Sequence, residues 1–196
     1  MEHFCIYGGT FNPIHNGHLH LIREASRVLE FDRLLVIPTN IPPHKAPRDL
    51  ASNRDRLEMA RLAVRGMDRV WVSDVEQRAK GKSYTILTLE RLRYLFPDTA
   101  FTILMGADML CSFDRWHRWQ DILRLADIAA FARNEGEESV LEQKASELGR
   151  TRIIRVEPLP LSSTMVRETI QNGGDISGLV PEDVAAYIQE KGLYRK

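Results

Sequence analysis

The fold of this chain is decided by residues 4–18, which read Phe4-Cys5-Ile6-Tyr7-Gly8-Gly9-Thr10-Phe11-Asn12-Pro13-Ile14-His15-Asn16-Gly17-His18. The apolar run Phe4–Tyr7 predicts a buried strand. The adjacent glycines after it let the backbone turn sharply and approach a ligand closely. Leu21, Ile22 and Ala25 then recur at the spacing of an amphipathic helix. The opening residues therefore predict a strand, a turn rich in glycine and histidine, and a helix in direct succession.

The same alternation of strand and helix patterns continues along the chain. Five further strand candidates follow, each short and apolar: Arg33–Ile37, Arg69–Ser73, Ala100–Met105, Ile128–Ala132 and Ile153–Val156. Such strands, separated by amphipathic helices, are typical of a parallel sheet that is covered on both faces. We therefore expect one α/β domain over residues 1–196, with a single doubly wound, mostly parallel sheet and helices on both faces. The loosest segments are expected at Thr39–Asn53 and Asn134–Glu138.

The composition is that of an ordinary globular protein. The 196 residues include 27 basic and 27 acidic side chains, and 43% of the residues are hydrophobic. This charge balance argues against a polybasic surface, so we expect no nucleic-acid partner and no membrane partner. We also expect no signal peptide and no membrane span, because no apolar run approaches 18 residues. With only two cysteines, Cys5 and Cys111, the expected compartment is a reducing cytoplasm, whereas the oligomeric state stays open.

The first loop is the leading candidate site, because ligands of open parallel sheets bind beyond the carboxyl ends of the strands. Its glycines lack both the G-x-G-x-x-G spacing of dinucleotide-binding folds and the Gly-Lys-Ser/Thr of a P-loop. His15 and His18 lie three residues apart at a helix start and can point the same way. Free amides at that helix start suit an anion. These residues predict a phosphate pocket with two imidazole donors, and the alternative of capping or surface histidines stays open.

His15, His18 and His20 are also potential metal ligands. A closed zinc site needs further ligands, and no second cluster of cysteines or histidines supplies them. We therefore expect no metal site built from protein side chains.

The stretch from Gly9 to His18 resembles the G-x-F-D-P-x-H-x-G-H motif of the nucleotidylyltransferase superfamily. This chain departs from the motif at Asn12, where the superfamily usually has Asp, so residue 12 offers an amide in place of a carboxylate. The resemblance implies a Rossmann-like nucleotidylyltransferase fold. It places four loop residues at the phosphates of ATP: Gly8, Gly9, Thr10 and Phe11. It also implies catalytic hydrogen-bond donors at His15 and His18.

Later segments are similar to the bacterial nicotinate-nucleotide adenylyltransferases, which form deamido-NAD. The matching segments run in order through nearly the whole chain: Pro42–Lys45, Arg56–Met59, Ser83–Thr85, Gly106–Asp108, Leu161–Arg167 and Val180–Tyr194. The family often has an Asp where this chain has Leu87. Coverage of this extent makes a chance match implausible.

This resemblance implies roles for eight further residues. Four would hold the ATP phosphates and the leaving pyrophosphate, with the last also counted as catalytic: Lys45, Ser163, Thr164 and Arg167. Four would bind nicotinate mononucleotide: Thr85, Asp108, Trp116 and His117. In the implied arrangement Trp116 stacks on the pyridine, Asp108 accepts hydrogen bonds from a ribose, and Thr85 with amides near His117 receives the carboxylate. From the residues alone, a helix cap with a solvated Arg167, a solvated Lys45 and a core-packed Trp116 stay open; Trp71 and Trp119 are expected in the core.

The implied reaction joins nicotinate mononucleotide to the AMP part of ATP and releases pyrophosphate, with Mg²⁺ accompanying ATP. The attacking group is already a phosphate that is largely dianionic at neutral pH, so no general base is needed. The nearest alternatives are adenylyl transfer to nicotinamide mononucleotide or phosphopantetheine, and cytidylyl transfer. A nucleotide-binding sensor without chemistry is the alternative from another functional class.

Overall fold

The six expected strands form one sheet in the computed structural model, which describes residues 1–41, 49–79, 81–133 and 136–195. The strands are β1 (Glu2–Gly9), β2 (Arg33–Pro38), β3 (Val70–Val72), β4 (Thr99–Gly106), β5 (Asp127–Ala132) and β6 (Thr151–Arg155). They pair in parallel in the order β3-β2-β1-β4-β5-β6. The chain order reverses between β1 and β4, so the predicted doubly wound sheet is confirmed, and every strand pairing in it is parallel.

Helices cover both faces of this sheet, as expected. In the described part of the chain they are α1 (Asn16–Val28), α2 (Asn53–Ala63), α3 (Thr85–Leu95), α4 (Ala107–Cys111), α5 (Trp119–Leu125), α6 (Glu137–Leu148), α7 (Ser163–Gln171) and α8 (Glu182–Lys191). Alternate residues of β1 enter two separate cores, because successive side chains of a strand point to opposite faces. Cys5 and Tyr7 pack with α1, α2, α7 and α8. Phe4 and Ile6 pack with α3, α4, α5 and α6.

Three expectations about local structure need correction. The segment Asn134–Glu138 is not loose throughout, because α6 already begins at Glu137 after Gly136, whose φ is 84°. Likewise α2 begins at Asn53, and the Ser52 side chain caps it by accepting from the backbone N–H of Asp55 at 3.1 Å. Trp71 is not in the core: it is 55% exposed on the short edge strand β3.

Trp119, in contrast, is partly buried against the core and lies 6.2 Å from the ring of Phe113. None of the described helices is both long enough and apolar enough to cross a membrane.

The loops at the carboxyl ends of β1 and β2 are joined by a buried arginine. Arg56 on α2 is 0% exposed, and its guanidinium donates to backbone carbonyls on three segments. Nη1 donates to Thr10 O at 2.8 Å, Nη2 to Thr39 O at 2.6 Å, and Nε to Ala51 O at 3.2 Å. Burial lowers the pKa of Arg56, and the nearby Glu76 carboxylate opposes that effect. This side chain therefore sets the spacing between the first loop, the second loop and the start of α2.

Replacing Arg56 should destabilise the fold strongly. We expect Arg56→Ala to lower the free energy of unfolding by about 3–5 kcal/mol, because several buried carbonyls lose a charged donor at once. Arg56→Lys should recover part of this loss, since one ammonium cannot reach all the carbonyls that the planar guanidinium reaches. Urea unfolding followed by circular dichroism measures both variants.

The matched control for Arg56 is Arg61→Ala on the same helix. Arg61 is about half exposed and lies 3.6 Å from Glu58, a contact expected to contribute less than about 1 kcal/mol. Equal losses in the Arg56 and Arg61 variants would show that α2 is merely sensitive to any substitution and would contradict the role given to Arg56.

Candidate active site

A cleft of about 310 Å³ opens where the sequence predicts a site, beyond the carboxyl ends of β1 and β4. Eight of the predicted site residues line it: Gly8, Gly9, Thr10, Phe11, His15, His18, Asp108 and Ser163. They come from the first loop, the start of α1, the start of α4 and the start of α7. The fold thus brings together residues that are more than 150 positions apart in the chain.

Two glycines of the first loop are required by close packing. A Cβ on Gly9 would lie 2.9 Å from the Phe11 ring, and a Cβ on Gly17 would lie 2.9 Å from the His15 ring. Contacts this short force a neighbour to move. The glycine between the two histidines therefore lets the His15 ring lie directly against the backbone of α1.

The two histidines form a packed pair. Their ring centroids are 3.7 Å apart with the planes inclined by 33°, and His15 is only 5% exposed. The backbone N–H of His15 donates to His18 Nδ1 at 3.2 Å, so a neutral His18 carries its proton on Nε2. His15 Nδ1 is buried, and no hydrogen-bond partner for it is found among the residues the structure describes.

Burial keeps both imidazoles neutral in the free protein. Burial first, and the positive charge of Arg133 second, together lower the pKa of His15 to about 4. The pKa of His18 is lowered well below its usual value by burial first, then by His15 and Arg133. At neutral pH each ring therefore has one N–H donor and no net charge.

Arg133 is a cleft residue that the sequence reading missed. It directly follows β5, and its Nη2 atom lies 2.7 Å from the position that a Cβ on Gly106 would occupy. Asp108 Oδ1 lies equally close to that position, so Gly106 makes room for both side chains. Arg133 follows the carboxyl end of β5, which is where ligands of open parallel sheets bind, so its place in the chain was one indication of a site residue. No motif surrounds this arginine in the sequence, so nothing else marked it as a site residue.

The start of α7 is docked on the first loop. Ser162 caps the helix, and its side chain accepts from the backbone N–H of Met165 at 3.1 Å. Ser163 Oγ donates to Pro13 O at 2.8 Å, and Arg167 Nη1 donates to Asn12 O at 2.8 Å.

The second Arg167 nitrogen, Nη2, donates to the exposed Thr164 at 3.2 Å. Arg167 is therefore a half-buried, docked side chain rather than a solvated one. Arg167 and Thr164 adjoin the cleft through the first loop, but they do not line it.

Three of the residues predicted to bind a pyridine nucleotide, Thr85, Trp116 and His117, form a second group. Thr85 opens α3 directly after Tyr84, whose ring centroid is 4.7 Å from that of the exposed His117. Trp116 is half-buried, with its ring 5.3 Å from Phe113. The fold brings these segments together, yet they lie outside the lining of the 310 Å³ cleft.

Lys45 lies outside the described residues. Within the ranges that the structure describes, no group of three or more His, Cys, Asp or Glu side chains could hold a metal ion. Leu87 is 47% exposed on α3, and nothing in the structure explains its departure from the family pattern.

Comparison with known proteins gives matches over nearly the full chain. The cytidylyltransferase-like family model matches residues 6–169. A protein from Dehalococcoides mccartyi named "probable nicotinate-nucleotide adenylyltransferase" is 39% identical, with 97% of this chain and 96% of the relative covered. A protein of the same name from Marinobacter nauticus is 38% identical, with 96% of this chain and 95% of the relative covered.

Solved structures share the fold. A structure of Plasmodium falciparum nicotinic acid mononucleotide adenylyltransferase complexed with NaAD superposes with a TM-score of 0.83 at 19% identity, covering 99% of this chain and 98% of that chain. The same enzyme complexed with APC gives a TM-score of 0.81 at 18% identity, with the same coverage. Since the curated relatives exceed one-third identity over almost their whole length, the chain belongs to the nicotinate-nucleotide adenylyltransferases of the cytidylyltransferase-like family.

Proposed function

We propose that this protein transfers the adenylyl group of ATP to nicotinate mononucleotide, giving deamido-NAD and pyrophosphate. The observation that carries the proposal is the cleft itself. In a chain of this family, a glycine turn, two neutral histidines and the start of α7 converge on one space of about 310 Å³. Each of these groups can donate hydrogen bonds to an anion, and the reaction needs no further base because the acceptor phosphate is already deprotonated.

In the proposed mechanism, a phosphate oxygen of nicotinate mononucleotide attacks the α-phosphorus of ATP, and the bond to the β-phosphate oxygen breaks. Holding two anions in line is the main task, and positioning of this kind supplies roughly 7–11 kcal/mol. His18 donates from Nε2 to the α-phosphate, with His15 and the Thr10 hydroxyl assisting. Because Arg56 holds the Thr10 carbonyl at 2.8 Å, this donor set is in place before substrates arrive.

The leaving pyrophosphate is held at the other side of the first loop. We assign Ser163, Thr164, Arg167 and Lys45 to it, together with Gly8, Gly9 and Phe11 as the turn that lets phosphates approach the backbone. Arg133 adds a fixed positive charge beside the histidines. The charge of Arg133 opposes protonation of His15 and His18 in the free protein. The same charge attracts a phosphate, and the negative charge of the bound phosphate then favours protonation of the two histidines.

The second group of residues, together with Asp108 of the cleft, supplies the acceptor site. Trp116 is half-buried and leaves part of its ring for stacking on a pyridine. Thr85 and the amides near His117 receive the nicotinate carboxylate, and Asp108 accepts hydrogen bonds from a ribose. The contact between Tyr84 and His117 supports a single pocket formed from both segments.

Nucleotidyltransferases of this family generally act on a nucleotide that carries a divalent metal. We propose Mg²⁺, which enters as part of the MgATP substrate and neutralises phosphate charge. The cleft fits this arrangement because it offers mainly donors to phosphate oxygens. Mg²⁺ bound to ATP usually keeps several water ligands.

Two further proposals concern the chain as a whole. Both ends contribute to the same core, since Tyr7 of β1 and Tyr194 after α8 belong to one buried cluster, which supports a single domain over residues 1–196. Cys111 is an exposed free thiol, which suits the reducing cytoplasm.

Pyrophosphate release with MgATP tests the proposed function. The acceptors to compare are nicotinate mononucleotide, nicotinamide mononucleotide and phosphopantetheine. We expect kcat/KM with the nicotinate substrate to exceed the others at least about tenfold, because the carboxylate is the group that Thr85 and the amides recognise. A preference for another acceptor would overturn the roles of Trp116 and Thr85, and ATP binding without release from any acceptor would identify a sensor.

Loss of the His18 imidazole should slow turnover. We expect His18→Ala to lower kcat by about 10²–10³-fold, the usual effect of removing one preorganised donor to a transition-state oxyanion. The control is His3→Gln, at the opposite end of β1, where the ring contacts Glu30 O and Thr102 instead of the cleft. Turnover of His18→Ala close to that of the control would remove His18 from the mechanism.

The histidine pair should make the protein sensitive to acid. The pKa of His15 is about 4 in the folded protein and about 6.5 in the unfolded chain, so the unfolded chain binds more protons as the pH falls. Stability is therefore fully present above pH 6.5 and decreases below it, by about 2 kcal/mol for His15 between pH 7.5 and pH 5. MgATP should restore part of this loss, because phosphate favours the charged imidazoles.

Urea unfolding at pH 7.5 and pH 5, with and without MgATP, measures this effect. His15→Gln is the reference, since it removes one of the two titrating rings and should make the pH dependence less steep. An equally steep decrease in the wild type and in His15→Gln would assign the acid sensitivity to other groups.

A further inference from the structure

Asn12, the departure from the superfamily motif, lies at the centre of a buried hydrogen-bond network that reaches the end of the chain. Asn12 is 2% exposed, and its side chain bonds to two distant segments, residues 49–51 and Tyr194. We propose that the Tyr194 hydroxyl, acting through the Asn12 amide, is a positioning group for Arg167 and Ser163 and so for the ATP-phosphate side of the site. This inference rests on the proposed adenylyl transfer and assigns a role to two residues outside the cleft lining.

The Asn12 amide uses both its oxygen and its nitrogen. Oδ1 accepts from Tyr194 Oη at 2.8 Å and from the backbone N–H of Ala51 at 3.0 Å. Nδ2 donates to the backbone carbonyl of Asp49 at 3.0 Å. A carboxylate at this position would keep the first two bonds, but it would face the Asp49 carbonyl without a proton to donate. The surroundings of residue 12 therefore match an amide.

The backbone next to this amide holds the predicted phosphate ligands. Arg167 Nη1 donates to the carbonyl of Asn12 itself, and Ser163 Oγ donates to the carbonyl of the next residue, Pro13, both at 2.8 Å. The first of these carbonyls belongs to Asn12 itself, so the contacts that fix the Asn12 side chain also restrain the residue that carries it. Tyr194 and Arg167 are thus linked through the single residue Asn12, whose side-chain oxygen accepts from the hydroxyl and whose backbone carbonyl accepts from the guanidinium.

Tyr194 is itself held firmly. Gly192, with φ of 62°, caps the end of α8, and Tyr194 has φ of 64°, a left-handed conformation, with its ring in the core. Few bulky residues adopt this conformation, so the surrounding packing must maintain it. Burial raises the pKa of Tyr194 above its ordinary value, so the hydroxyl stays protonated and remains a donor at every working pH.

The chain offers a matched control on the neighbouring helix. Tyr187 lies on α8, and its hydroxyl donates to Asp55 Oδ1 at 2.9 Å. Tyr187→Phe and Tyr194→Phe each remove one hydroxyl that bonds across to a distant segment. Only Tyr194 reaches the first loop, so only Tyr194→Phe removes the proposed positioning contact.

The experiment measures kcat and KM for MgATP and for nicotinate mononucleotide in the wild type and in both variants. A single hydrogen bond corresponds to about a fivefold to tenfold change, so we expect Tyr194→Phe to lower kcat/KM for MgATP by that factor. The KM for nicotinate mononucleotide should stay within about twofold of the wild-type value, and Tyr187→Phe should match the wild type throughout. Wild-type kinetics in Tyr194→Phe, or an equal loss in Tyr187→Phe, would overturn the proposal.

A double-mutant comparison tests whether Tyr194 acts through Asn12. In an Asn12→Ala background, Tyr194→Phe should have no further effect on kcat/KM for MgATP, because the contact is already lost. A full additional loss in that background would show a separate path and would overturn the inference. Thermal unfolding of each variant confirms that the compared proteins are folded.

Titration of MgATP without acceptor separates this inference from the proposed function. A wild type that releases no pyrophosphate from MgATP and nicotinate mononucleotide contradicts the proposed function. In that case a weaker MgATP affinity in Tyr194→Phe than in Tyr187→Phe still supports the positioning role, and equal affinities overturn it.

Discussion

The buried guanidinium of Arg56 is the contact on which the arrangement of the loops around the cleft depends. A charged group without water is unfavourable, and so are backbone carbonyls without donors. In this fold the buried guanidinium and the buried carbonyls satisfy each other. The guanidinium donates hydrogen bonds to carbonyls from the loops after β1 and β2 and from the residues just before α2. The loops are thereby held at a fixed spacing by their own backbone, independently of any ligand.

The electrostatic state of the histidine pair follows from that fixed backbone. Once Thr10 is held, the turn packs Phe11 over Gly9 and His15 against Gly17. Two buried imidazoles next to Arg133 cannot both take up protons without an anion nearby, so they remain neutral donors. An arriving phosphate reverses this balance because it compensates the added charge. The same burial that costs stability in acid therefore prepares the site for a polyanion.

The sequence was sufficient for the fold class and for the core of the site. A short run of apolar residues such as Phe4–Tyr7 predicts a strand that is buried on both faces. The spacing of His15 and His18 predicts that both side chains point the same way at a helix start. The position of Trp71 could not be predicted in the same way. Its apolar neighbours indicate a strand, but whether that strand lies at the edge of the sheet depends on the order of all six strands. The helix beginning at Glu137 was hidden by a polar, charged sequence that is equally typical of a loop.

The sequence could not predict the roles of three residues in or around the site: Arg133, Arg56 and Tyr194. Each acts through partners that are distant in the chain, and nothing in its immediate neighbours marks it. Arg56 was matched to a family segment, but its burial and its carbonyl partners are tertiary facts. The roles of Thr85, Asp108, Trp116, His117 and Lys45 in binding stay predictions from resemblance.

The departure at Asn12 shows how a motif position can change its chemistry without changing its place in the fold. Both Asn and Asp offer an oxygen to Tyr194 and to the Ala51 amide, so either residue satisfies those two donors. Only Asn also donates to the Asp49 carbonyl, and only Asn does so without burying a negative charge between Tyr194 and the first loop. The amide thus adds one hydrogen bond, to the Asp49 carbonyl, and it removes one negative charge from a buried network that also contains Arg56 and Arg167. The backbone carbonyl that holds Arg167 is the same in either case, which is why the substitution is compatible with the docking of Arg167 on the first loop.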